Sequence, residues 1–574
     1  MAANYAFGLA YKLDMKDFFG KALLVLAAFL FLVGIFLRVW RVDKAPVSLF
    51  GDEIDVGLQA NSILTTGKDY FGNALPIMFH SFSEYRLPLQ LYMDVPSIGI
   101  FGLNEIGVRV PAVVMGFLSI FALYLLVNEL FGRRLAIITA LFLTLSPWHF
   151  MFSRQANDAG ILLPFVLLGT YFFVKGTKKY RYLFASAILF SLGIYAYAIA
   201  SLFIPLFVLF MAAVYRKQIF GYGLKRLVLV FLLSLLVLSP YIKQSFSGLA
   251  SQRFSYISVA NKEEIRAELD VTREASNSSL SRIFNNKLTI TFDKILKNYS
   301  RAFSFSFLFW EGDPNPRQSV GGFGHFYHFD LLLILLALWI LVSNYSKSSP
   351  DRKKVFQVLL IWLVLAPIPS ALTRDGGTHA SRLILMLPPL IVFSALGFET
   401  ILGRLKDNKE KLVAGTLLLF MLFEMTRFLY SYFVAWPMES WRAWQYGYKE
   451  VGLYLRANSN KYERVLLNNT YEPMLPRFLF WYGYDMNDFQ ETFKDDKHID
   501  SIYPNFNGFK LGDKFYFGEL VKRIEVLASK ENLVVASTEN DVTDPYIFDN
   551  PELLLLDIVY SPTRKPIFYI YSGQ

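Results

Sequence analysis

The sequence predicts a polytopic α-helical membrane protein with about eleven transmembrane helices and a small C-terminal α/β domain. Three observations carry this prediction. First, 54% of the 574 residues are hydrophobic, which is unusual for a soluble chain of this length. Second, uncharged apolar runs recur at about the 20 residues that cross ~30 Å of hydrocarbon. Third, the composition changes at Pro437, after which short strand-like runs alternate with helix-like ones.

Most of the predicted spans are single uncharged runs. They are Ala22–Leu37, Val110–Asn128, Leu135–Ser153, Ala159–Val174, Leu227–Ile242, Leu331–Ser346, Val355–Thr373 and Leu383–Phe398. The last predicted span, Leu412–Trp436, is apolar apart from Glu424 and Arg427. The run Tyr182–Tyr215 has 34 residues, and one helix of that length would overshoot the bilayer by roughly 20 Å. We therefore expect two helices there, hinged near Tyr197–Ser201.

The charges in the short loops predict the orientation. With a cytoplasmic N-terminus, the cytoplasmic segments carry 21 Lys and Arg, whereas the opposite short loops carry only Arg154, Arg374 and Arg382. Basic residues favour the cytoplasmic side, so we expect a multi-pass protein of the cell membrane with its C-terminus outside. The same bias accounts for the net charge of +10 and argues against a nucleic-acid partner. The chain has no cysteine, which excludes disulfides, thiol nucleophiles and Cys-ligated zinc.

The polar mass lies in three predicted outer segments. We divide the chain into a transmembrane domain, 1–436, with long outer loops at 41–108 and 243–328, and an extracytoplasmic α/β domain, 437–574. The first loop has two amphipathic helix patterns, Asp52–Thr65 and Leu87–Phe101. The C-terminal domain has predicted helices at Ser440–Ala457 and Leu520–Ala528, and predicted strands at Arg464–Leu467, Leu533–Ala536 and Pro566–Ile570.

The acidic pair Asp52 and Glu53 follows Gly51, shortly after the first span. Acidic residues so close to a membrane helix are costly unless they face water or a polar site. One interpretation is that they only stabilise a helix N-terminus, where the helix dipole favours anions. The other is that they form part of an active site at the membrane surface.

Several cationic and polar side chains lie in outer loops of the same predicted face. Each alone is typical of an ordinary loop charge, but together the cations indicate an anion site, because Arg can grip a phosphate with two hydrogen bonds. The candidates are Glu84, Arg86, Arg154, Asn157, Asp158, Arg317, His379 and Arg382.

A metal site and an intramembrane pair of charges are two further possibilities, and the sequence supports a function for each only weakly. His379 lies near Asp375 and could bind a metal, but a lone His is more typical of a hydrogen-bonded loop residue. Asp52, Asp158 and His379 also have ligand types that Mg²⁺ or Mn²⁺ accept. Glu424 and Arg427 lie inside the last span at i,i+3 spacing, which predicts a structural pair facing the helix bundle.

An ordered series of motifs in the first 200 residues resembles a known family. The series is Gly51-Asp52-Glu53, Thr66 to Asn73, Glu84 to Leu89, Phe101 to Glu105 leading to Arg109-Val110-Pro111, and Ser146-Pro147-Trp148-His149 leading to Ser153-Arg154. It is similar to the protein O-mannosyltransferase and aminoarabinose-transferase branch of the membrane glycosyltransferases with the C-type fold. The middle and last spans match more loosely, and the C-terminal domain hardly at all.

The resemblance implies an inverting glycosyltransferase that uses a sugar on a polyprenyl monophosphate. The donor sugar would be a hexose or a pentose, and the acceptor hydroxyl would belong to a protein, a lipid or a glycan. Asp52 would be the base, with Glu53 beside it and Asp158 as the second acidic residue. Arg86, with Arg382 or Arg317 and His379, would bind the donor phosphate. The family often has Lys where this chain has Arg86. A monophosphate leaving group needs little neutralisation, so we expect no cofactor and no required metal.

Other function classes remain open at this point. A lipid or solute transporter would place ionisable residues near the membrane midplane and would show a repeat between halves; only Glu424 and Arg427 fit the first feature, and the sequence has no repeat. A scaffold protein that presents the C-terminal domain would not need the ordered motifs. A polysaccharide polymerase or ligase of similar topology is the alternative among enzymes.

Overall fold

The computed structural model describes residues 18–82, 85–246, 258–274, 285–403, 408–520, 524–542 and 544–574. Within these ranges the chain is mostly helical, and nearly all strands lie in the C-terminal part. The helices in chain order are α1 Phe18–Val39, α2 Gly51–Thr66, α3 Pro88–Phe101, α4 Glu105–Phe131, α5 Arg133–Leu145, α6 Pro147–Phe152, α7 Asp158–Gly176, α8 Arg181–Ala196, α9 Ala200–Val214, α10 Arg216–Phe220, α11 Leu224–Phe246, α12 Lys262–Glu274, α13 Lys287–Arg301, α14 His328–Asn344, α15 Pro350–Leu365, α16 Ile368–Ala371, α17 Leu387–Leu402, α18 Asn408–Tyr430, α19 Trp436–Ser440, α20 Tyr448–Asn458, α21 Met474–Phe478 and α22 Met486–Thr492.

The strands are short and follow the same order. They are β1 Phe79–His80, β2 Tyr85–Arg86, β3 Arg464–Asn468, β4 Ile499–Tyr503, β5 Phe506–Leu511, β6 Phe515–Leu520, β7 Asn532–Ser537, β8 Leu553–Tyr560 and β9 Pro566–Gly573. Short 3₁₀ or π turns occur at Ser306–Trp310, Ile384–Met386, Ser431–Ala435, Ser459–Lys461, Leu479–Gly483, Ile524–Leu527 and Pro545–Asp549.

Six helical stretches in the described ranges are long and apolar enough to cross a membrane, and four shorter apolar helices accompany them. The six are Glu105–Phe131, Asp158–Gly176, Leu224–Ser245, Pro350–Ala371, Ile384–Leu402 and Glu410–Ser440, and the four are Val25–Val39, Arg181–Ala196, Ala200–Val214 and His328–Asn344. The chain is therefore a multi-pass membrane protein, and the number of eleven spans stays a prediction. The long run at 182–215 is two helices, α8 and α9, separated at residues 197–199, as the sequence predicts.

The chain forms two compact units. The first comprises residues up to Trp40 together with Ala112–Pro314 and Gln318–Tyr430, and the second comprises Arg41–Pro111, Asn315–Arg317 and Ser431–Gln574. Residues Arg41–Pro111 thus pack with the C-terminal residues, whereas the sequence-based division joins the predicted loop 41–108 to the transmembrane domain. That division, at residue 436, stays a prediction.

The first unit is a bundle of apolar helices. α7 packs on α8, and α17 packs on both α14 and α5. Gly397 of α17 lies against the backbone of Leu333 in α14, where a Cβ would come within 2.1 Å of the Leu333 carbonyl oxygen. Small residues allow this close approach of membrane helices.

The expected ion pair between Glu424 and Arg427 is wrong, because each of the two residues contacts a different partner. Glu424 is buried and accepts from the backbone N–H of His328 at 2.9 Å, with its other oxygen 2.6 Å from His328 Nδ1. Arg427 lies over the ring of Phe323, with its guanidinium carbon 4.6 Å from the ring centroid. Glu424 is buried in the bundle, whereas Arg427 is exposed. Spacing along one helix could not show that residues outside that helix supply the partners of both side chains.

The second unit contains a seven-stranded sheet of order β4-β5-β6-β3-β7-β9-β8. β3 is parallel to β6 and β7, and the other neighbours are antiparallel. Leu466, Val534 and Tyr571 are buried in its core. The predicted strands at 464–467, 533–536 and 566–570 are confirmed.

One predicted helix of the C-terminal domain is wrong, and another is confirmed only in its second part, Tyr448–Asn458. The predicted helix at Leu520–Ala528 is instead the end of β6, followed after the undescribed residues 521–523 by a 3₁₀ turn. The predicted helix at Ser440–Ala457 is interrupted by a turn before Gly447, whose φ is +106°. A φ of that sign lies outside the right-handed helical region, so α20 begins only at Tyr448.

Candidate active site

The acidic pair lies in the first turn of α2, as predicted. Helix α2 begins at Gly51 after the extended residue Phe50, and the unpaired N–H groups of a helix start favour anions. The Asp52 side chain is 55% exposed, whereas that of Glu53 is 3% exposed. Two neighbouring carboxylates therefore have opposite environments, since Asp52 is largely exposed and Glu53 is buried.

Arg86 joins Asp52 to a third carboxylate. Its NH2 is 2.5 Å from Asp52 Oδ1, and its Nε is 2.6 Å from Asp55 Oδ2. The β1–β2 ladder, in which Arg86 is opposite Phe79, positions the guanidinium. The Arg86 side chain is only 11% exposed. In this conformation Arg86 is first a partner of carboxylates, and its predicted contact with a donor phosphate is untested.

Asp55 lies beneath this pair, and the sequence analysis missed it. The hydroxyl of Tyr70 donates to Asp55 Oδ1 at 2.6 Å and accepts from the backbone N–H of Phe82 at 3.1 Å. Burial raises the pKa of Asp55, although the nearby Arg86 lowers it in part. Asp55 is one helical turn from Asp52 on the same face of α2, and that spacing could have identified it.

Glu53 is enclosed by Arg109. Arg109 donates from Nε to Glu53 Oε1 at 3.1 Å and from NH2 to Oε2 at 2.9 Å. The same guanidinium also binds the carbonyl oxygens of Val42, Pro46 and Ser48. Glu53 Oε2 accepts in addition from the N–H of Phe50 at 3.3 Å. These contacts tie the start of α2 to the segment before it, which favours a structural role for Glu53.

The C-terminal residues of the second unit reach the start of α2. The N–H of Gly51 donates to Gln445 Oε1 at 2.9 Å, and Arg477 donates to the same oxygen. The Arg477 side chain is 4% exposed, and its guanidinium carbon lies 4.8 Å from the centre of the Tyr448 ring. No local pattern around residues 445 or 477 signals this contact, because it joins segments almost 400 residues apart.

Arg317 lies beside the same helix start. Its guanidinium carbon is 3.5 Å from the centre of the Phe50 ring, which is the distance of a close cation–π contact. The second unit therefore brings four of the predicted site residues together around the first turn of α2: Asp52, Glu53, Arg86 and Arg317.

The other predicted phosphate-binding residues belong to the first unit. His379 Nδ1 is 3.0 Å from Ser381 Oγ, and Arg382 donates to Thr373 Oγ1 at 2.8 Å. The backbone of their loop is held by the residues before α14: Asp313 Oδ2 accepts from Ala380 N–H at 2.8 Å, and Gln318 Oε1 accepts from Ser381 N–H at 3.0 Å.

Of the remaining candidates, Arg154, Asn157 and Asp158 also belong to the first unit. Arg154 is fully buried in the first unit and donates to the carbonyl oxygen of Leu37. Asn157 is the N-cap of α7, where its side chain accepts from Ala159 N–H at 2.9 Å, and Asp158 is the first residue of that helix. Glu84 lies outside the described residues.

Among the residues that the structure describes, no group of three or more His, Asp or Glu side chains has the arrangement of a metal site. The predicted possibility of a metal site from Asp52, Asp158 and His379 concerns residues of both units and stays a prediction.

Comparison with known proteins confirms the resemblance seen in the sequence. The family described as dolichyl-phosphate-mannose-protein mannosyltransferase matches residues 88–243. The Bacillus subtilis (strain 168) protein YkcB, named as a candidate mannosyltransferase, is 26% identical over 175 residues. That match covers 27% of this chain and 24% of YkcB, so this chain matches about a quarter of its curated relative.

The ArnT structure, at a TM-score of 0.50, shows the fold. The structure of ArnT from Cupriavidus metallidurans bound to undecaprenyl phosphate matches with a TM-score of 0.50 and 14% identity, over 96% of this chain and 98% of that one. The Archaeoglobus fulgidus oligosaccharyltransferase in complex with zinc and sulfate matches with a TM-score of 0.46 and 15% identity, over 96% of this chain and 73% of that one. The chain has the fold of the C-type membrane glycosyltransferases and is similar to their mannosyltransferase and aminoarabinose-transferase branch. The family match begins after Asp52 and Glu53.

Proposed function

We propose that this protein is an inverting glycosyltransferase that moves a sugar from a polyprenyl-phosphate carrier to an acceptor hydroxyl. The observation that carries the proposal is the exposed carboxylate of Asp52 in the first turn of α2, which lies 2.5 Å from the guanidinium of Arg86. The ArnT structure, which contains undecaprenyl phosphate, and the mannosyltransferase family match support a lipid-linked donor.

In this mechanism Asp52 accepts a hydrogen bond from the acceptor hydroxyl and orients it toward the anomeric carbon. The hydroxyl oxygen forms the new bond to that carbon while the bond to the phosphate oxygen breaks on the opposite face, so the configuration inverts. The bonding electrons leave with the lipid phosphate, and the hydroxyl proton passes to Asp52. Arg86 fixes the carboxylate, since an ion pair at 2.5 Å restricts its rotation.

The departing phosphate needs positive charge. Arg317, His379 and Arg382 are the proposed partners, because a guanidinium or a protonated imidazole stabilises the charge that develops on the phosphate oxygen. Asp158, at the start of α7, is the proposed second acidic group. A monophosphate carries little charge to neutralise, so we propose that no divalent metal is needed. Transfer should then survive EDTA; full loss in EDTA that is restored by Mg²⁺ or Mn²⁺ would recast Asp52 as a metal ligand.

We propose that the site faces the outside of the cell membrane. The asymmetry of 21 basic residues against three in the opposite short loops supports this orientation. A protease added to intact cells should remove the residues after Pro437. A C-terminal part that is protected in intact cells and cleaved only in lysates would reverse the orientation.

The donor assay tests the proposal directly. Full-length protein in liposomes is given a radiolabelled sugar as the polyprenyl monophosphate and, separately, as the nucleotide sugar. We expect release of polyprenyl phosphate and labelled product from the first donor alone. Transfer from the nucleotide sugar alone would contradict the proposal. A panel of peptide, lipid and glycan acceptors in the same assay identifies the acceptor class.

A further inference from the structure

A polar cleft in the first unit lies outside the proposed active site. It has a volume of about 180 Å³ and is lined by Glu264 of α12, by residues of α13, and by Arg374. The α13 residues are Lys294, Lys297, Asn298 and Arg301. These four lie at helical spacing on one face of α13.

The cleft has an excess of positive charge. Its lining holds four cations and one carboxylate. Arg374 Nε is 2.9 Å from Glu264 Oε1, and Lys294 Nζ is 2.6 Å from Glu268 Oε2. Within the described ranges, Lys297 and Arg301 have no carboxylate within salt-bridge distance. Two cations side by side repel each other, so their arrangement favours an anion between them.

The floor of the cleft is fixed by the backbone. Asn298 is 8% exposed and donates to the carbonyl oxygens of Ala371 at 3.3 Å and Thr373 at 2.8 Å. Gly377 lies so close to α13 that a Cβ there would be 3.0 Å from Arg301 Cβ. The cationic side chains therefore project from a rigid base, which reduces the entropy lost when they bind an anion.

The opposite face of α13 is apolar and exposed. Leu288, Phe292 and Leu296, each one turn after the last, are 81%, 63% and 54% exposed. An amphipathic helix with such a row lies in a membrane interface with the row in the acyl region. Because a helix is about 10 Å wide, the cleft would then lie at about the level of the lipid headgroups.

We propose that this cleft binds a phosphate group, carried by a membrane phospholipid or by a soluble phosphate ester. Lys and Arg together suit a phosphate, since Arg supplies two parallel donors and Lys a compact charge. The volume of about 180 Å³ equals that of roughly six water molecules in the liquid, which accommodates a phosphate with part of its ester group. The inference does not rest on the proposed transfer reaction.

The test measures binding of phosphate probes to full-length protein in detergent. One arm uses phosphatidylglycerol against phosphatidylcholine, with retention counted by native mass spectrometry. The other arm uses glycerol 3-phosphate and inorganic phosphate, followed by thermal shift. The variant is Lys297→Gln with Arg301→Gln. The matched control is Lys530→Gln with Lys565→Gln, which removes two exposed cations of the other unit.

We expect the cleft variant to weaken binding at least tenfold and the control to leave it unchanged. Binding of phosphatidylglycerol alone assigns the site to a lipid headgroup, and equal binding of glycerol 3-phosphate assigns it to a soluble ester. If the double variant does not fold, Lys297→Gln at its exposed position should still weaken binding several-fold. Equal binding by wild type and cleft variants, or no binding of any phosphate probe to wild type, would overturn the inference.

Discussion

The guanidinium of Arg86 lies 2.6 Å from the carboxylate of Asp55, which is 7% exposed. The same guanidinium reaches the exposed Asp52 at 2.5 Å. Arg86 therefore connects a buried charge to the proposed catalytic one. Arg86 therefore has two candidate roles that the sequence could not distinguish. It could bind the donor phosphate, or it could position Asp52.

Replacing Arg86 tests these two roles. Arg86→Ala leaves Asp55 buried without its cation, and removing one partner of a buried pair costs about 3–5 kcal/mol. We expect a lower thermal midpoint and weak transfer. Adding Asp55→Asn should restore the midpoint, because it removes the unpaired charge. Arg86→Lys should be intermediate, since Lys lacks the fork that reaches two carboxylates.

Donor binding completes this experiment. If Arg86 also holds the phosphate, the double variant Arg86→Ala with Asp55→Asn will regain stability and still bind polyprenyl-phosphate sugar poorly. Donor binding equal to wild type in both Arg86→Ala and Arg86→Lys would mean that the phosphate site lies elsewhere.

The buried pair of Glu53 and Arg109 leads to a prediction about folding. Glu53→Gln should lower the thermal midpoint and the yield of folded protein, because it leaves the fully buried Arg109 without its carboxylate, at a cost of about 3–5 kcal/mol. Glu53→Gln with Arg109→Met should be more stable than Glu53→Gln alone. Asp43→Asn, at a partly exposed residue 38% accessible, is the matched control.

A Glu53→Gln variant with normal stability and no activity would instead assign Glu53 to catalysis. The double-variant comparison distinguishes the two explanations, because restored stability with restored transfer is expected only if Glu53 acts through the fold.

The C-terminal sheet should be less stable as the pH rises from about 4 to 6. Asp541 Oδ2 accepts from Ser537 N–H at 2.7 Å and from Asn468 at 2.6 Å, and burial raises its pKa from 3.8 to about 6. Between pH 4 and 6 the folded state therefore binds more protons than the unfolded state. The contribution of Asp541 to the free energy of unfolding is fully present below the unfolded-state pKa, and it is lost as the pH rises through the folded-state pKa.

Asp541→Asn should remove this slope in the thermal midpoint of the C-terminal sheet. Asp513→Asn, at a fully exposed residue near Lys510, should keep it. A slope that persists in Asp541→Asn would assign the pH dependence to another group.

The sequence could predict the parts of the fold that depend on local pattern. The apolar runs predict the spans, the residues after Gly51 predict α2, and the short apolar run at Leu533–Ala536 predicts β7. The strands at 499–520 were missed, because aromatic residues, glycines and charges interrupt their alternation.

The site depended more on tertiary contacts. Asp52 and Arg86 were identified from residue type and family resemblance, and the structure pairs them. Gln445 and Arg477 could not be found, because their contact with the start of α2 exists only once residues Arg41–Pro111 pack with the C-terminal residues. The predicted involvement of Asp158, His379 and Arg382 stays a prediction.

The measurement that tests the central claim most directly is the turnover of Asp52→Asn in liposomes with a polyprenyl-phosphate sugar. Asn keeps the size and can hydrogen-bond, but it cannot accept the hydroxyl proton. We predict a loss of roughly 10²-fold or more, the scale of general acid–base catalysis, with donor binding and thermal midpoint close to wild type. Asp43→Asn should transfer normally. Wild-type turnover by Asp52→Asn would remove Asp52 from the mechanism and contradict the account.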